Sequence, residues 1–479
     1  MPVEVSQAEI SAVLNGNVGG RVSKATFARL MPKFKAAEVS LDEIAALMRA
    51  AGFLGKSEVV REVAAAGRNM VAEMRSRPLD MADNRLSAAA FMVDVGLLQT
   101  AAHDLLRFAP PVANAPDIPA TAQRLLQTDA GMYEEFRHIQ NWFDGAADVS
   151  HLGRADLGLV CNFGYIAALQ SKTSDLSYAL SEACCTAARL ARSAGLTVRI
   201  IPDFIFPLLQ ERPEFILSFH TSGRFNGFMH FKRADLPDYV LIDPGGYSGW
   251  SSLSGCVVND LNLPEMNEAA VFVEQHFQEV ISRNISKYQQ PHMGMACAPL
   301  PKSFVFVALQ VPNDRTQQMA RFTMERMLNI VVNRFRNTDV AVVVKPHPKA
   351  KAGPLTAILS ELSEQGLIEV RHDSIHDLLD QALAVITVNS GVGSEAMMYK
   401  KPIYTFGASD YDAVTHRITS VEQFHDLTTP IRPAVSEEKL VRFIAYYRQR
   451  YLVDRSKAGL LDRALQERLI EPILRARSV

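Results

Sequence analysis

The sequence predicts an α/β protein made of two parallel-sheet domains in tandem, preceded by a helical region. Three observations carry this reading. From about residue 156, short β-branched or apolar runs alternate with longer amphipathic ones, the pattern of successive βαβ units. The series occurs twice, on either side of an aperiodic segment at about 285–302 that holds Pro291, Met293, Met295, Pro299 and Pro301. Residues 1–150 instead show helical periodicity almost throughout and no convincing strand.

A chain of 479 residues exceeds one ordinary core. The expected division is a helical region over 1–150, a first Rossmann-like domain over 151–290, a second over 300–420, and terminal helices over 421–479. Within the helical region, Leu41 to Met48 and Leu86 to Phe108 carry the periodicity. Pro110, Pro111, Pro116 and Pro119 break it, and a second part ends near Trp142 and Gly145. In the first domain, Leu157 to Phe163, Leu196 to Ile201, Glu214 to Phe219 and Tyr239 to Ile242 read as strands, with a helix over Leu176 to Ala194. In the second, strands are expected at Phe304 to Leu309, Val340 to Val344, Ile368 to Val370, Val385 to Val388 and Ile403 to Thr405, with a helix over Gln317 to Arg336. Terminal helices follow, including Leu440 to Tyr451 and Leu460 to Leu474.

Composition excludes several classes. With 48% hydrophobic and 21% charged residues the chain has the balance of a soluble globular protein. A net charge of -2 gives no global attraction to nucleic acid. The start Met1-Pro2-Val3-Glu4-Val5-Ser6 lacks a signal-peptide pattern, and no run approaches the ~18 apolar residues of a membrane helix, so a cytoplasmic location is expected. Cys161, Cys184, Cys185, Cys256 and Cys297 have no metal-ligand spacing and read as reduced core thiols.

The chemistry concentrates at strand ends. Val340 to Val344 runs into Lys345-Pro346-His347-Pro348, which places Lys345 and His347 at the carboxyl end of a parallel strand, where open α/β sheets bind ligands. A histidine between two prolines is held in a fixed direction and suits donation to a phosphate oxygen. The strand Val385 to Val388 leads into Asn389-Ser390-Gly391-Val392-Gly393 and a helix from Ser394 to Tyr399. Backbone N–H groups, the helix dipole and the hydroxyls of Ser390 and Ser394 make an anion site there, and Glu395 either steadies the helix start or accepts from ribose hydroxyls. Each turn alone also fits a structural role; two of them, about 40 residues apart, point together to a phosphate ligand. After the first strand of this domain, Gln310 is placed to read a base or a carboxylate, and Asp314 either joins it or caps the next helix.

In the first domain Asp243 ends the strand Tyr239 to Ile242, followed by Pro244-Gly245-Gly246 and by Tyr247 and Trp250, whose faces suit sugar stacking. Asp243 there reads as a base or nucleophile, or as the start of a structural turn. Asn162, Glu182, His220 and Arg224 are further polar candidates for acceptor or sugar contacts. Arg442, Tyr446, Tyr447, Arg448, Arg450 and Tyr451 give a late helix a basic, aromatic character open to two readings, contact with an anionic membrane surface or a packing helix.

Phe304 to Asp314, the Lys345-Pro346-His347-Pro348 turn, and the run Val385 to Phe406 with Lys401-Pro402 resemble the capsule polysaccharide biosynthesis family, which includes the bacterial β-Kdo transferases. The resemblance is good over about 300 to 410 and looser over 156 to 260, where Asp243-Pro244-Gly245-Gly246-Tyr247 is similar to the family's acidic-glycine-tyrosine motif. The C-terminal turns are also similar to the His-Pro and serine motifs of CMP-sialic-acid transferases. The resemblance implies a GT-B arrangement, two Rossmann-like domains facing a cleft, with the donor on the C-terminal one and neither metal nor cofactor required. It implies a glycosyltransferase that takes a CMP-activated acidic sugar, Kdo or a related ulosonic acid, to a bacterial surface polysaccharide or glycolipid. His347, Ser390 and Ser394 would hold the CMP phosphate, and Asp243 would act at the anomeric carbon or on the acceptor. A CDP-glycerol-type polymerase, a nucleotide-sugar epimerase and a non-catalytic scaffold of glycan assembly are the alternative readings.

Overall fold

A computed structural model describes residues 23–76, 153–161, 176–294, 298–311, 314–350 and 353–478. Two compact units divide the chain, Met1–Lys232 with Lys457–Val479, and Arg233–Ser456. The break falls at Lys232, so the aperiodic segment at 285–302, expected to be an interdomain linker, lies inside the second unit.

The first unit begins with helices over 23–35, Leu41–Phe53 and Ser57–Ser76. The second of these starts at a reciprocal cap. Ser40 Oγ accepts from Glu43 N at 3.2 Å while Ser40 N donates to the Glu43 carboxylate at 3.1 Å. The helix expected over Leu86 to Phe108 and the part ending near Trp142 lie outside the described residues. Four strands follow, β1 (Leu157–Cys161), β2 (Val198–Pro202), β3 (Phe215–Phe219) and β4 (Phe228–Arg233), paired in parallel in the order β4-β3-β1-β2. Strand β4 was not expected, because His230, Lys232 and Arg233 dilute its apolar run. The fold buries His230 by bonding both ring nitrogens, to Thr221 Oγ1 at 2.8 Å and Gly223 O at 2.7 Å. The helix Leu176–Ser193 matches its expected span, and the terminal helices Leu460–Leu465 and Glu471–Arg477 belong to this unit, with Arg189 paired to Asp462 at 2.6 Å.

The second unit opens with β5 (Tyr239–Asp243) and contains a six-stranded parallel sheet, β6 (Phe304–Ala308), β7 (Ala341–Lys345), β8 (Glu369–Val370), β9 (Ala384–Thr387), β10 (Ile403–Thr405) and β11 (His416–Arg417). The order β11-β10-β9-β6-β7-β8 is that of a Rossmann sheet, which runs outward from β6 on one side and then reverses to the other. The topological switch point therefore lies between the carboxyl ends of β6 and β9. Strand β12 (Val453–Asp454) returns to pair antiparallel with β5. The helix expected from Gln317 to Arg336 is split because two capping residues stand in its path. Asp314 starts a short 3-10 turn, Arg315–Met319, and Thr323 caps the helix Met324–Phe335 by accepting from Arg326 N at 3.2 Å.

Period-two alternation along β6 builds two cores. Phe304, Phe306 and Ala308 enter the cluster with Tyr239, Phe443 and Ile444, while Val305, Val307 and Leu309 enter the cluster with Leu328, Val331 and Phe335. Both faces of the sheet are thus covered, which is why its strands read as unbroken apolar runs. Cys161 and Cys184 are buried free thiols, Cys185 and Cys256 are half-buried free thiols, and Cys297 lies outside the described residues. Among the described residues no helix is long and apolar enough to cross a membrane.

The late basic and aromatic run is not one exposed face. The helix Glu437–Tyr446 continues into a π-helical turn over Tyr447–Tyr451, and Tyr447, Arg448 and Tyr451 are all buried. Arg442 donates to Pro264 O at 2.8 Å and Arg450 to Asn262 O at 2.7 Å. The Arg448 side chain is fully excluded from solvent, lies 5.4 Å and 5.3 Å from the ring centroids of Tyr239 and Tyr447, and grips the Asp235 carboxylate with two bonds of 2.7 and 2.5 Å. Removing one member of such a pair leaves a bare charge in the core, so Arg448→Ala is expected to cost about 3–5 kcal/mol of unfolding free energy. Chemical denaturation checks this, and the apolar double variant Asp235→Leu/Arg448→Met should recover most of the loss.

Candidate functional site

The site residues of the second unit gather at the carboxyl ends of β6, β7 and β9, but they divide into residues that face inward and residues that stay available. Gln310 and Asn389 sit across the switch point and bond to each other. Gln310 Nε2 donates to Asn389 Oδ1 at 3.0 Å, and Asn389 N donates to Gln310 Oε1 at 3.0 Å. The Asn389 amide also reaches the carbonyls of Thr316 and Ala408 at 2.8 and 3.0 Å. Both side chains are buried, so their amide groups join the loops after β6, β9 and β10 and are not free to read a base. Asp314 caps the Arg315–Met319 turn, accepting from Thr316 N at 2.9 Å and Thr316 Oγ1 at 3.0 Å.

Lys345 ends β7 half-buried, and its ammonium donates to the backbone carbonyls of His372, at 3.3 Å, and Asp373. Two of its three protons are thereby used to anchor the segment after β8. Burial lowers its pKa, with Asp373 and Glu395 opposing. His347 is different. Its Nδ1 accepts from Lys349 N at 3.0 Å, which assigns the neutral tautomer with the proton on Nε2. Burial lowers its pKa, and Lys287 adds to that, so at neutral pH it is an uncharged donor. The ring edge of Tyr288 packs on it at a centroid distance of 5.0 Å and 82°.

In the turn after β9, Ser390 is half-buried, and its hydroxyl oxygen accepts from Val392 N at 3.3 Å, which leaves the hydroxyl proton to be donated. Most N–H groups of the turn are already used: Asn389 on Gln310, Ser390 on Thr387, Gly393 on Ser390 O, and Ser394 and Glu395 on Gly391 O. The helix that follows, Val392–Met398, has two turns only. The anion site expected from backbone groups and dipole is correspondingly reduced. Gly393 is explained by packing, since a Cβ there would lie 2.4 Å from the Tyr411 hydroxyl, which itself donates to Ser390 O at 2.5 Å. Gly391 is half-buried, with Asp235 Cβ 3.3 Å from where its own Cβ would stand. Ser394 is buried and donates to Asp235, so it does not face a ligand.

Glu395 is 2% exposed, accepts from Ser286 Oγ at 3.2 Å, and its Oε2 has no partner among the described residues. Burial, then the charge of Asp235, pushes its pKa up to about 8, so at neutral pH it holds its proton and can donate as well as accept. Asp410, half-buried after β10, is pushed up to about 7 by burial and by Asp235, with Tyr447 OH donating to it at 3.1 Å. Asp410-Tyr411-Asp412 is an Asp-x-Asp sequence that the strand-end reading passed over. Its two carboxyls are engaged separately, because Asp412 accepts from Ser409 N and Oγ at 3.0 and 2.8 Å and from Ser254 Oγ at 3.1 Å.

Asp243 fits the structural alternative, the start of a turn. It is 1% exposed; Oδ1 accepts from Gly245 N at 2.7 Å, Gly246 N at 3.0 Å and Ser252 N at 3.0 Å, and Oδ2 from Ser252 Oγ at 2.5 Å and Tyr451 OH at 3.3 Å. Both carboxylate oxygens are thus engaged. Asp243 fastens the turn after β5. Tyr247 is likewise buried, its ring 5.4 Å from that of Trp250, and burial raises its pKa to about 12. The Arg315 guanidinium lies 5.2 Å over Trp250, so that indole face is taken by a cation, not offered to a sugar.

The remaining expectations fall in the first unit. Glu182 is half-buried in the helix Leu176–Ser193, Arg224 is exposed between β3 and β4, His220 is half-buried with a left-handed backbone at φ 60, and Asn162 lies outside the described residues. Sequence reasoning missed Asp235, Lys287, Tyr288 and Asp410, none of which left a signal. Arg448 was named only within the late helix, where its place in line with Leu440 and Ile444 at a spacing of four marks it as inward-facing.

Residues 260–433 match the model of the family described as capsule polysaccharide biosynthesis protein. The match spans β6 to β11 and thus every motif on which the resemblance rested except the Asp243 turn. The Protein FixF of Sinorhizobium fredii is 26% identical over 205 residues, 42% of this chain and 47% of that protein. The chain therefore spans about half the length of this curated relative. Two solved structures from Thermosulfurimonas dismutans are also similar. KpsC, β-Kdo 2,7 transferase, has 17% identity and a TM-score of 0.38, over 62% of this chain and 92% of that one. KpsC, β-Kdo 2,4 transferase, has 16% identity and a TM-score of 0.35, over 54% and 85%.

The raised pKa of Glu395 fixes a sign. An unfolded glutamate ionises near 4.5 and the folded one near 8, so between these values the folded state holds the extra proton and stability falls as pH rises. Glu395→Gln abolishes that dependence. It is expected to match the wild type near pH 4.5 and to be more stable than it at pH 8 and above, as read by thermal unfolding across pH.

Proposed function

We propose that the second unit binds the nucleotide of an activated sugar, and that the protein is a glycosyltransferase moving a CMP-linked acidic sugar, Kdo or a related ulosonic acid, to a bacterial surface polysaccharide or glycolipid. The observation that carries the reading is His347. It stands past the end of β7, beside the switch point of a Rossmann-ordered sheet, and its tautomer is fixed so that Nε2–H is the donor. An uncharged imidazole with a directed N–H, joined by the Ser390 hydroxyl, suits a phosphate that gains charge as the sugar–phosphate bond breaks. The match over 260–433 to a capsule polysaccharide family supports the transfer class, and the similarity of the His-Pro and serine turns to those of CMP-sialic-acid transferases supports CMP.

The reaction breaks the bond between the anomeric carbon and the CMP phosphate oxygen and forms one to an acceptor hydroxyl, whose proton must be taken up. Asp243 is too fully bonded to do this. Asp410, half-buried and with a pKa of about 7, is the carboxyl in this unit best tuned to exchange a proton near neutrality. The family resemblance implies no metal or cofactor, and of the two readings of the late helix the burial of Tyr447, Arg448 and Tyr451 favours packing.

A thermal-shift series with CMP, CDP, UDP and GDP tests the donor assignment. CMP at a hundredfold its Kd should stabilise the protein by about 2.7 kcal/mol, and His347→Ala should reduce the shift at the same concentration. A larger shift with UDP than with CMP overturns the CMP assignment.

A further inference from the structure

The segment after the helix Met266–Ser282, expected only as a linker, is built into the site. Asn284 accepts from Ser374 Oγ at 3.0 Å, and Gln290 accepts from Ile375 N at 3.1 Å. His376 is fully buried, donates from Nε2 to Ile285 O at 3.0 Å, and takes the Tyr399 hydroxyl on Nδ1 at 2.7 Å. A loop pinned at both ends in this way has little freedom. It carries Ser286, bonded to Glu395 of the turn after β9, and Tyr288, packed on His347 of the turn after β7. Lys287 stands between these two, at the residue that joins one turn to the other.

Resting on the nucleotide reading above, we propose that Lys287 is a phosphate-binding residue of this site, its ammonium paired to the anionic phosphate of the bound nucleotide and to the leaving nucleotide as the sugar departs. Lys287 is half-buried, and its ammonium makes no hydrogen bond or ion pair with any described residue. A lysine that gives up solvent without gaining an anion is costly, and an anion supplied from outside removes the cost. Burial lowers its pKa and Arg233 lowers it further, while Asp235, Asp314 and Glu395 draw it back up. None of these three acids offers a ready partner: Asp235 is held by Arg448, Asp314 by its cap, and Glu395 is protonated at neutral pH. The charge near His347 is also felt there, since Lys287 helps to lower the imidazole's pKa. An uncharged directed donor and a bare cation side by side make an anion site with one group for geometry and one for charge.

Isothermal titration of the full chain with CMP and with cytidine, which differ by the phosphate alone, tests this. Lys287→Ala should weaken CMP by about tenfold to a hundredfold and leave cytidine unchanged, and Lys287→Arg should keep most of the CMP affinity. Undiminished CMP affinity in Lys287→Ala overturns the proposal, as does an equal loss for CMP and cytidine, the mark of a loop that has merely shifted. If the wild type prefers another nucleoside monophosphate, the CMP assignment fails and the same comparison, made with that nucleotide and its nucleoside, decides on Lys287. A wild type that binds nucleotide and nucleoside equally, or binds neither, removes the phosphate site itself.

Discussion

The second unit is organised around the buried pair of Asp235 and Arg448. The pair joins the segment between β4 and β5 to the π-helical turn Tyr447–Tyr451, and through Ser394 it reaches the helix start after β9. No apolar contact could tie three separate segments with the same directional demand. Its cost is the desolvation of two charges, and the geometry offsets it with two short bonds and two flanking tyrosine rings. The Asp235 charge then acts on its neighbours. Added to burial, which is the larger cause, it raises Glu395 to about 8 and Asp410 to about 7, so both carboxyls hold protons well above the usual carboxylate range.

This arrangement assigns the motif residues different tasks from those their spacing suggests. A polar side chain at the carboxyl end of a parallel strand can meet a ligand, or it can satisfy the loops that shape the ligand's place. Gln310, Asn389, Lys345, Ser394 and Asp243 do the second: their donors and acceptors are bound internally. His347 and Ser390 each keep a donor for the first, the role the proposed nucleotide site gives them. The inward set holds the outward set still, which is what a site needs if a one-ångström error is costly.

Much of the fold was legible because its signals are local. The apolar runs of β6, β7, β9 and β10 are buried on both faces and are bounded by turn residues, so both their positions and their parallel pairing could be read. The residues that escaped depend on tertiary context. Strand β4 carries polar residues that the sheet satisfies individually, and β11 and β12 are two residues each, too short for a period to register. Lys287 and Tyr288 lie on an irregular loop whose anchors, Ser374, Ile375 and Glu395, are about 90 to 110 residues away in sequence. Arg448 shows how charge leaves a choice open. It was grouped with Arg442 and Arg450 in a run open to a membrane or a packing reading, and its place in the same stripe as Leu440 and Ile444, which face the core, decides for packing. For the site, the sequence located the two turns but could not tell which of their side chains were already bonded.

The account's central claim is that the turns after β7 and β9 receive a nucleotide phosphate. A crystal structure of the protein with CMP tests it most directly. The account predicts phosphate oxygens about 2.7–3.2 Å from His347 Nε2, with the Ser390 hydroxyl and the Lys287 ammonium around the same group. A nucleotide seated elsewhere in the unit, such as the cavity lined by Arg336, Asp339 and Glu369 near the amino ends of β7 and β8, with His347 untouched, would contradict it.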